Sequence, residues 1–257
     1  MFEGKKLFVL DLDGTFYLGD RLLPGSLEFV EKVYEVGADL VFLTNNSSAT
    51  KQEYRDKIEK LGVSGKYFDI YTSAEATIRF LKEHYSNKSV YLLAVPSVEN
   101  LFRWSGIELD DEDPDIVVMT YDKTLNFQKI ERFCHFVRHG ALYIASHPDI
   151  NCPTEHGPIP DVGSFIALVK ASTGRDPDHV IGKPNTAILE MLIKDYDVQK
   201  DEVVMIGDRL YTDIECGLRT GVDTILVLSG ETTMDMVPED PPFYVFSGLK
   251  EIVESMK

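Results

Sequence analysis

Short apolar runs alternate along the chain with longer stretches in which apolar residues recur at helical spacing. The runs "LFVLDLD" (residues 7–13), "DLVFLTNN" (39–46), "FDIYTS" (68–73), "EVVMIGD" (202–208), "DTILVLSG" (223–230) and "FYVFSG" (243–248) predict strands. After the first run, "LPGSLEFVEKVYEVGA" has helical spacing, with Pro24 suited to its start and Gly37 to its end. Further helices are expected over "ATKQEYRDKIEKLG" (49–62), from the proline of "PNTAILEMLIKDY" (184–196), and over "DIECGLRTG" (213–221). Strands alternating with helices predict an α/β fold built on a parallel sheet.

The middle of the chain repeats the alternation. "SVYLLAV" (89–95), "DIVVMTYD" (115–122) and "LYIASHPD" (142–149) read as strands, with the helical pattern "LNFQKIERFCHFVRHG" (125–140) among them. Residues 79–178 are therefore expected to form an inserted α/β domain within a core of 1–78 and 179–257. Turn-rich "HYSNKS" and "STGRDPDH" mark the boundaries.

Charge narrows the partners. The 257 residues carry a formal charge of −17, which repels phosphate backbones and anionic lipid and argues against nucleic-acid and membrane-surface roles. An anionic substrate would need positive charge built into its own site. Cys134, Cys152 and Cys216 form no CxxC pair, which suits a reducing compartment. The apolar stretch Leu7–Leu10 is too short for a signal peptide, and no run reaches the roughly 18 apolar residues of a membrane span. A cytoplasmic protein is expected.

Polar residues collect just beyond four apolar runs: Asp11 and Asp13, then Thr44, Asn45 and Asn46, then Lys183, then Asp208 and Asp213. In an open parallel sheet, ligands bind beyond the carboxyl ends of the strands. Asp11 and Asp13, two apart, point the same way, and two close carboxylates call for a hard divalent cation, Mg²⁺ above all. Gly14 permits a sharp turn, and Thr15 brings a hydroxyl. Thr44 and Asn45 offer neutral donors to phosphate oxygens, although Ser, Thr and Asn also cap helices. Lys183 supplies a point charge. Of Asp208 and Asp213, one would complete a metal shell and the other orient Lys183; Asp213 also suits a helix N-cap.

Together "DLDGT", "LTNN", "GKPN" and "GDRLYTD" resemble the four motifs of the haloacid dehalogenase-like hydrolases, in order and over nearly the whole chain. The resemblance implies a Rossmann-like core, with Asp11 as the nucleophile that becomes an aspartyl phosphate and Asp13 as acid and then base. It implies Mg²⁺ on the Asp11 carboxylate, the Asp13 backbone carbonyl and Asp208, and phosphoryl oxygens held by Thr44, Asn45 and Lys183. A pKa of Asp13 raised by Asp11 would help its double duty. Thirty-one positions separate Asp13 from Thr44, and 139 separate Thr44 from Lys183, so an inserted cap falls in the second interval. With "TNN", "GKP" and "GDRL", that spacing resembles the NagD/4-nitrophenylphosphatase branch with its C2-type cap. Tyr211 stands where many relatives carry an acid, and only local packing is expected to differ. The carboxylate at Asp13 argues against a dehalogenase and against a pump-type stable phosphoenzyme.

The expected function is Mg²⁺-dependent hydrolysis of a small phosphorylated metabolite. A phosphotransferase or phosphomutase, and a non-catalytic phosphometabolite-binding protein, are the alternatives. In the loop "ASHPDINCPTEHGPIPDVGS" (145–164), His147 and Asp149 are candidates to touch the leaving group. His135 and His139 share a helix face, but the chain has no HExxH motif, so they are read as solvated or packed residues. An exposed helix of the insert would offer a surface for a homo-oligomer.

Overall fold

A computed structural model describes residues 2–154 and 156–256. Its strands, in chain order, are β1 (Leu7–Leu10), β2 (Tyr17–Leu18), β3 (Arg21–Leu22), β4 (Asp39–Thr44), β5 (Asp69–Thr72), β6 (Val90–Leu93) and β7 (Ile116–Met119). They continue with β8 (Leu142–Ala145), β9 (Asn151–Cys152), β10 (Ile159–Pro160), β11 (His179–Val180), β12 (Val203–Gly207), β13 (Asp223–Val227) and β14 (Tyr244–Phe246). The helices are α1 (Ser26–Glu35), α2 (Lys51–Lys60), α3 (Ser73–His84), α4 (Pro96–Trp104), α5 (Phe127–Arg138), α6 (Val162–Thr173), α7 (Ala187–Asp195), α8 (Glu215–Thr220) and α9 (Leu249–Ser255). Among them no helix is long and apolar enough to cross a membrane.

A six-stranded parallel sheet runs β14-β13-β12-β1-β4-β5. Its central strands are apolar on both faces because helices cover both. Leu7, Val9, Val41, Leu43 and Met205 face one apolar cluster, while Phe8, Leu10, Leu40, Phe42, Val204 and Ile206 face another. This is the two-residue period of a strand read at once on both sides. The chain builds outward from β1 to β5, then returns to β12 and builds the other way. The order therefore reverses at β1, where a crevice opens beyond the strand ends.

A second parallel sheet, β11-β8-β7-β6, carries the middle of the chain. The expected boundary at 78/79 falls within α3, and β11 at 179–180 pairs into this second sheet. One apolar cluster is shared by both sheets: Val9 and Met205 belong to it with Ala74, Ile78, Val98, Val118 and Ile144. Two hairpins, β2-β3 and β9-β10, stand apart from the sheets.

Two helix starts differ from expectation. The helix after Lys183 begins at Ala187, not Pro184, because Asn185 Oδ1 accepts the Ala187 N–H while its Nδ2 donates to Val180 O. The helix expected from Asp213 opens as a π-helical turn over Leu210–Ile214, and α8 follows it. Asp213 lies inside that turn and is no N-cap.

Gly25 ends the hairpin region and caps α1 with φ 88°, and a Cβ there would overlap the backbone of Lys250 at the start of α9. Gly25→Ala is expected to cost about 2–4 kcal/mol, combining left-handed strain with a backbone clash. The denaturant midpoint measures it; an unchanged midpoint would mean that α1 and α9 do not meet as described.

Candidate active site

The ends of β1, β4 and β12 lie side by side, since Leu10 is in register with both Phe42 and Ile206. The next residues of each strand therefore emerge together. The Asp11 N–H continues the ladder onto Ile206 O at 2.9 Å. At Gly14, φ is 91°, and its N–H donates to Tyr17 O as the chain turns into the β2-β3 hairpin. A Cβ at Gly14 would lie 2.6 Å from Asp208 Oδ2, so this turn needs glycine for space as well as for conformation.

Lys183 is the hub. Its side chain is buried, and its ammonium lies 2.6 Å from Asp11 Oδ1 and 2.6 Å from Asp213 Oδ1 while donating to Leu43 O at 2.9 Å. Burial alone would lower the Lys183 pKa, but Asp11 and Asp213 outweigh it and raise the pKa, so the ammonium stays charged. Asp213 is held in turn by the Arg209 N–H on its Oδ2 at 3.2 Å. The wide π-helical turn that carries Asp213 packs it against Gly207, where any side chain would collide with the carboxylate.

Asn45 was expected to hold phosphoryl oxygens with its amide. Instead the side chain grips Lys183: Oδ1 accepts the Lys183 N–H at 2.8 Å, and Nδ2 donates to Lys183 O at 2.9 Å and to Asp149 Oδ1 at 3.1 Å. An amide with two donors and one carbonyl oxygen is thereby engaged at both ends. Thr44 lies at the cleft, with its hydroxyl accepting the Asn46 N–H at 3.1 Å.

Asp208 accepts from the Thr15 hydroxyl at 3.2 Å and from the Glu231 N–H at 2.7 Å. Carboxylate oxygens of Asp11, Asp208 and Asp213 all lie within 4.8 Å of one another. Burial, with Asp213 adding repulsion, pushes the Asp208 pKa up to about 7. Burial also holds Asp11 well above the usual carboxylate range, against the attraction of Lys183. Crowded, buried, oxygen-only donors are the set a hard divalent cation relieves, and the site fits one. Lys183 and the Arg209 N–H take one oxygen each of Asp213, whereas Asp11 gives Lys183 its Oδ1 and Asp208 accepts from neutral donors, Thr15 and the Glu231 N–H. The Asp13 pKa is raised too, but the cause is burial rather than Asp11 as expected; Lys57, Arg209, Lys123 and Lys183 all pull the other way.

The loop after β8 brings in residues from the second sheet. Asp149 lines the cleft and pairs with Arg209, Nη1 to Oδ2 at 3.3 Å; Arg209 Nε also lies 3.0 Å from Glu231. Burial raises the Asp149 pKa, with His147 and Arg209 opposing. His147 does not reach the cleft. It is fully buried, its Nε2 is 2.9 Å from Asp161 Oδ1, and its Nδ1 lies 3.0 Å from Ser146 Oγ, so the expectation that it touches a leaving group is withdrawn. Arg209 was missed in the sequence, although it stands within "GDRL". Its signal was its place directly after Asp208, at the end of an apolar run. Tyr211 does more than pack locally: its hydroxyl donates to Glu231 Oε1 at 2.7 Å, and it lines a cavity beside Asp208.

The cleft bounded by Asp11, Asp13, Thr44, Asn45, Lys183 and Asp213 holds only about 30 Å³. That is room for one small group, not for a metabolite of several hundred Å³. Two larger cavities meet it at Asp13, of about 420 Å³ beside Asp208 and about 440 Å³ beside Tyr54.

Residues 8–108 match a family described as haloacid dehalogenase-like hydrolase, and residues 180–252 match a second model of the same kind. An acid sugar phosphatase of Staphylococcus aureus is 32% identical over 255 residues, covering 98% of each chain. The crystal structure of a 4-nitrophenylphosphatase from Thermotoga maritima superposes with a TM-score of 0.95 at 42% identity, covering 100% of this chain and 99% of the other. NagD from E. coli K-12 gives 0.87 at 30% identity, covering 96% and 98%.

The raised carboxylates make stability depend on pH. A carboxyl that titrates near 7 when folded, but near 4 when unfolded, stabilises the fold while protonated. Without metal, stability is expected to fall as pH rises from about 4 through about 7, and Asp208→Asn should flatten that slope. Thermal melts in chelator measure it, and added Mg²⁺ should recover the loss at pH 8 in the unaltered protein. Identical slopes in the two proteins would contradict the assignment.

Proposed function

The chain belongs to the haloacid dehalogenase-like hydrolase family, in its NagD/4-nitrophenylphosphatase branch, and on that premise we propose that it hydrolyses phosphate monoesters of small metabolites through Asp11. The observation that carries the reading is the buried Lys183 ammonium set 2.6 Å from Asp11, in a small cleft that Asp13 and Thr44 also line. The part of the chain that carries the second sheet, β6, β7, β8 and β11, serves as the cap over that cleft.

In the proposed reaction an Asp11 carboxylate oxygen attacks phosphorus, and the bond from phosphorus to the leaving oxygen breaks. Asp13 gives its proton to that oxygen. Asp13, now ionised, takes a proton from water, whose oxygen attacks phosphorus and breaks the bond to Asp11. Inorganic phosphate leaves, and Asp11 and Asp13 return to their starting states. Lys183 offsets phosphoryl charge throughout, and phosphoryl transfer depends on such positioning and neutralisation more than on covalent help. The Thr44 hydroxyl supplies a neutral donor, and Asn45 and Asp213 hold Lys183 in place. Asp11, the Asp13 backbone carbonyl and Asp208 would hold Mg²⁺, which adds positive charge at the phosphoryl oxygens. Burial of Asp13 favours its protonated form, which the first step requires.

The protein is expected to hydrolyse 4-nitrophenyl phosphate with Mg²⁺, and EDTA should abolish this. Asp11→Asn should lower kcat on the order of a thousandfold or more. Asp13→Asn should lower kcat by about 10²–10⁴ on an alkyl phosphate, and by less on 4-nitrophenyl phosphate, whose leaving group needs little protonation. Equal losses on both substrates would remove Asp13 from the role of acid. Full activity of Asp11→Asn would remove the mechanism.

A further inference from the structure

The phosphoryl cleft is too small for a whole substrate, so the leaving group must extend past Asp13 into one of two cavities. Their charges differ. The cavity beside Asp208 carries Asp208 and Glu231, and its cation, Arg209, is already paired with Asp149 and Glu231. The other, about 440 Å³, is bordered by Lys57 from α2 and by Lys123 from the segment after β7.

Both lysines are placed rather than free. Lys57 lies over the Tyr17 ring at 3.9 Å, and Tyr17 is bridged to Asp13. Lys123 lies over the Tyr121 ring at 5.0 Å. Neither is neutralised by a close pair among the described residues: Asp20, on the same rim, is exposed and 3.9 Å from Lys57, and no carboxylate there pairs with Lys123. Asn46, Ser48 and Tyr54 complete a polar wall. In a chain of charge −17, two ammoniums from distant segments facing one cavity offset the two carboxylates that line it, Asp13 and Asp20, where the cavity beside Asp208 keeps an excess of acid.

We propose that the substrate's leaving group carries a second anionic group, a carboxylate or another phosphoryl, bound between Lys57 and Lys123. This rests on the phosphatase reading and narrows its substrate class to phosphorylated acids and bisphosphates. Asn46, Ser48 and Tyr54 hold the polar wall together, with the Ser48 hydroxyl donating to Asn46 Oδ1 and the Tyr54 hydroxyl to Asn46 O. General attraction of phosphate to the site acts on every monoester alike, so only a comparison between substrates matched in skeleton isolates this second contact.

The test compares glucose 6-phosphate with 6-phosphogluconate, and fructose 6-phosphate with fructose 1,6-bisphosphate, at low salt with Mg²⁺. The anionic member of at least one pair is expected to have kcat/KM about tenfold or more higher, with the gap narrowing as salt screens it. The first pair reports a carboxylate and the second a phosphoryl. In Lys57→Met/Lys123→Met the ratio should fall to about one. No preference in the unaltered protein, or a preference that survives the double substitution, would overturn the proposal. Calorimetric binding of the same pairs to Asp11→Asn reads the preference without turnover. If no monoester is hydrolysed, 4-nitrophenyl phosphate included, the phosphatase reading fails. The calorimetric ratio then still decides whether the lysines select a second anion.

Discussion

One buried ammonium organises this molecule. Lys183 sits between Asp11 and Asp213, and donates to the Leu43 carbonyl, at the point where three strands end. An unpaired charge in that position would cost several kcal/mol, so the surrounding structure has to supply partners with good geometry. Asn45 clamps the Lys183 backbone from both sides, and a π-helical turn aims Asp213. Gly207 and Gly182 leave room that a Cβ would fill, against Asp213 in one case and the Asn45 oxygen in the other. Each of these features is local, but all of them serve the same ion cluster.

The second constraint is the joining of two sheets across the site. Asp149, from the loop after β8, accepts from Asn45 and pairs with Arg209, so one carboxylate ties a loop of the second sheet to the ends of β4 and β12 in the first. Behind it, the buried His147–Asp161 contact fixes the loop's base. The loop's middle, through Pro153 and Thr154, then separates the two larger cavities at Asp13. The small cleft follows from this packing, and under the proposed reaction the leaving group has to choose a side.

The longer strands were legible because parallel strands covered on both faces are uniformly apolar, and each stops within four residues of where its run ends. The placing of Asp11, Asp13, Thr44, Lys183 and Asp208 around the strand ends was legible for a related reason: a charged or polar group just after such a run has little but the strand end to occupy. What escaped was set by approach in space. Arg209 became meaningful only beside Asp149, sixty positions away, and Asn45 only beside Lys183. His147 and Asp149 share one polar loop and look alike in sequence, yet one points into the protein and the other into the cleft. The late start of α7 was hidden because Asn185 ends the turn through its own side chain, where Pro184 seemed the natural first residue.

The central claim is that the Lys183 cluster presents Asp11 as the group that takes the phosphoryl. The most direct measurement is to quench turnover in acid, reduce with borohydride, and map the modified peptide by mass spectrometry. An aspartyl phosphate is an acyl phosphate and is reduced to homoserine, so the account predicts homoserine at position 11 and nowhere else. Homoserine at Asp13 or Asp208, or none at position 11 while substrate is being consumed, would contradict it.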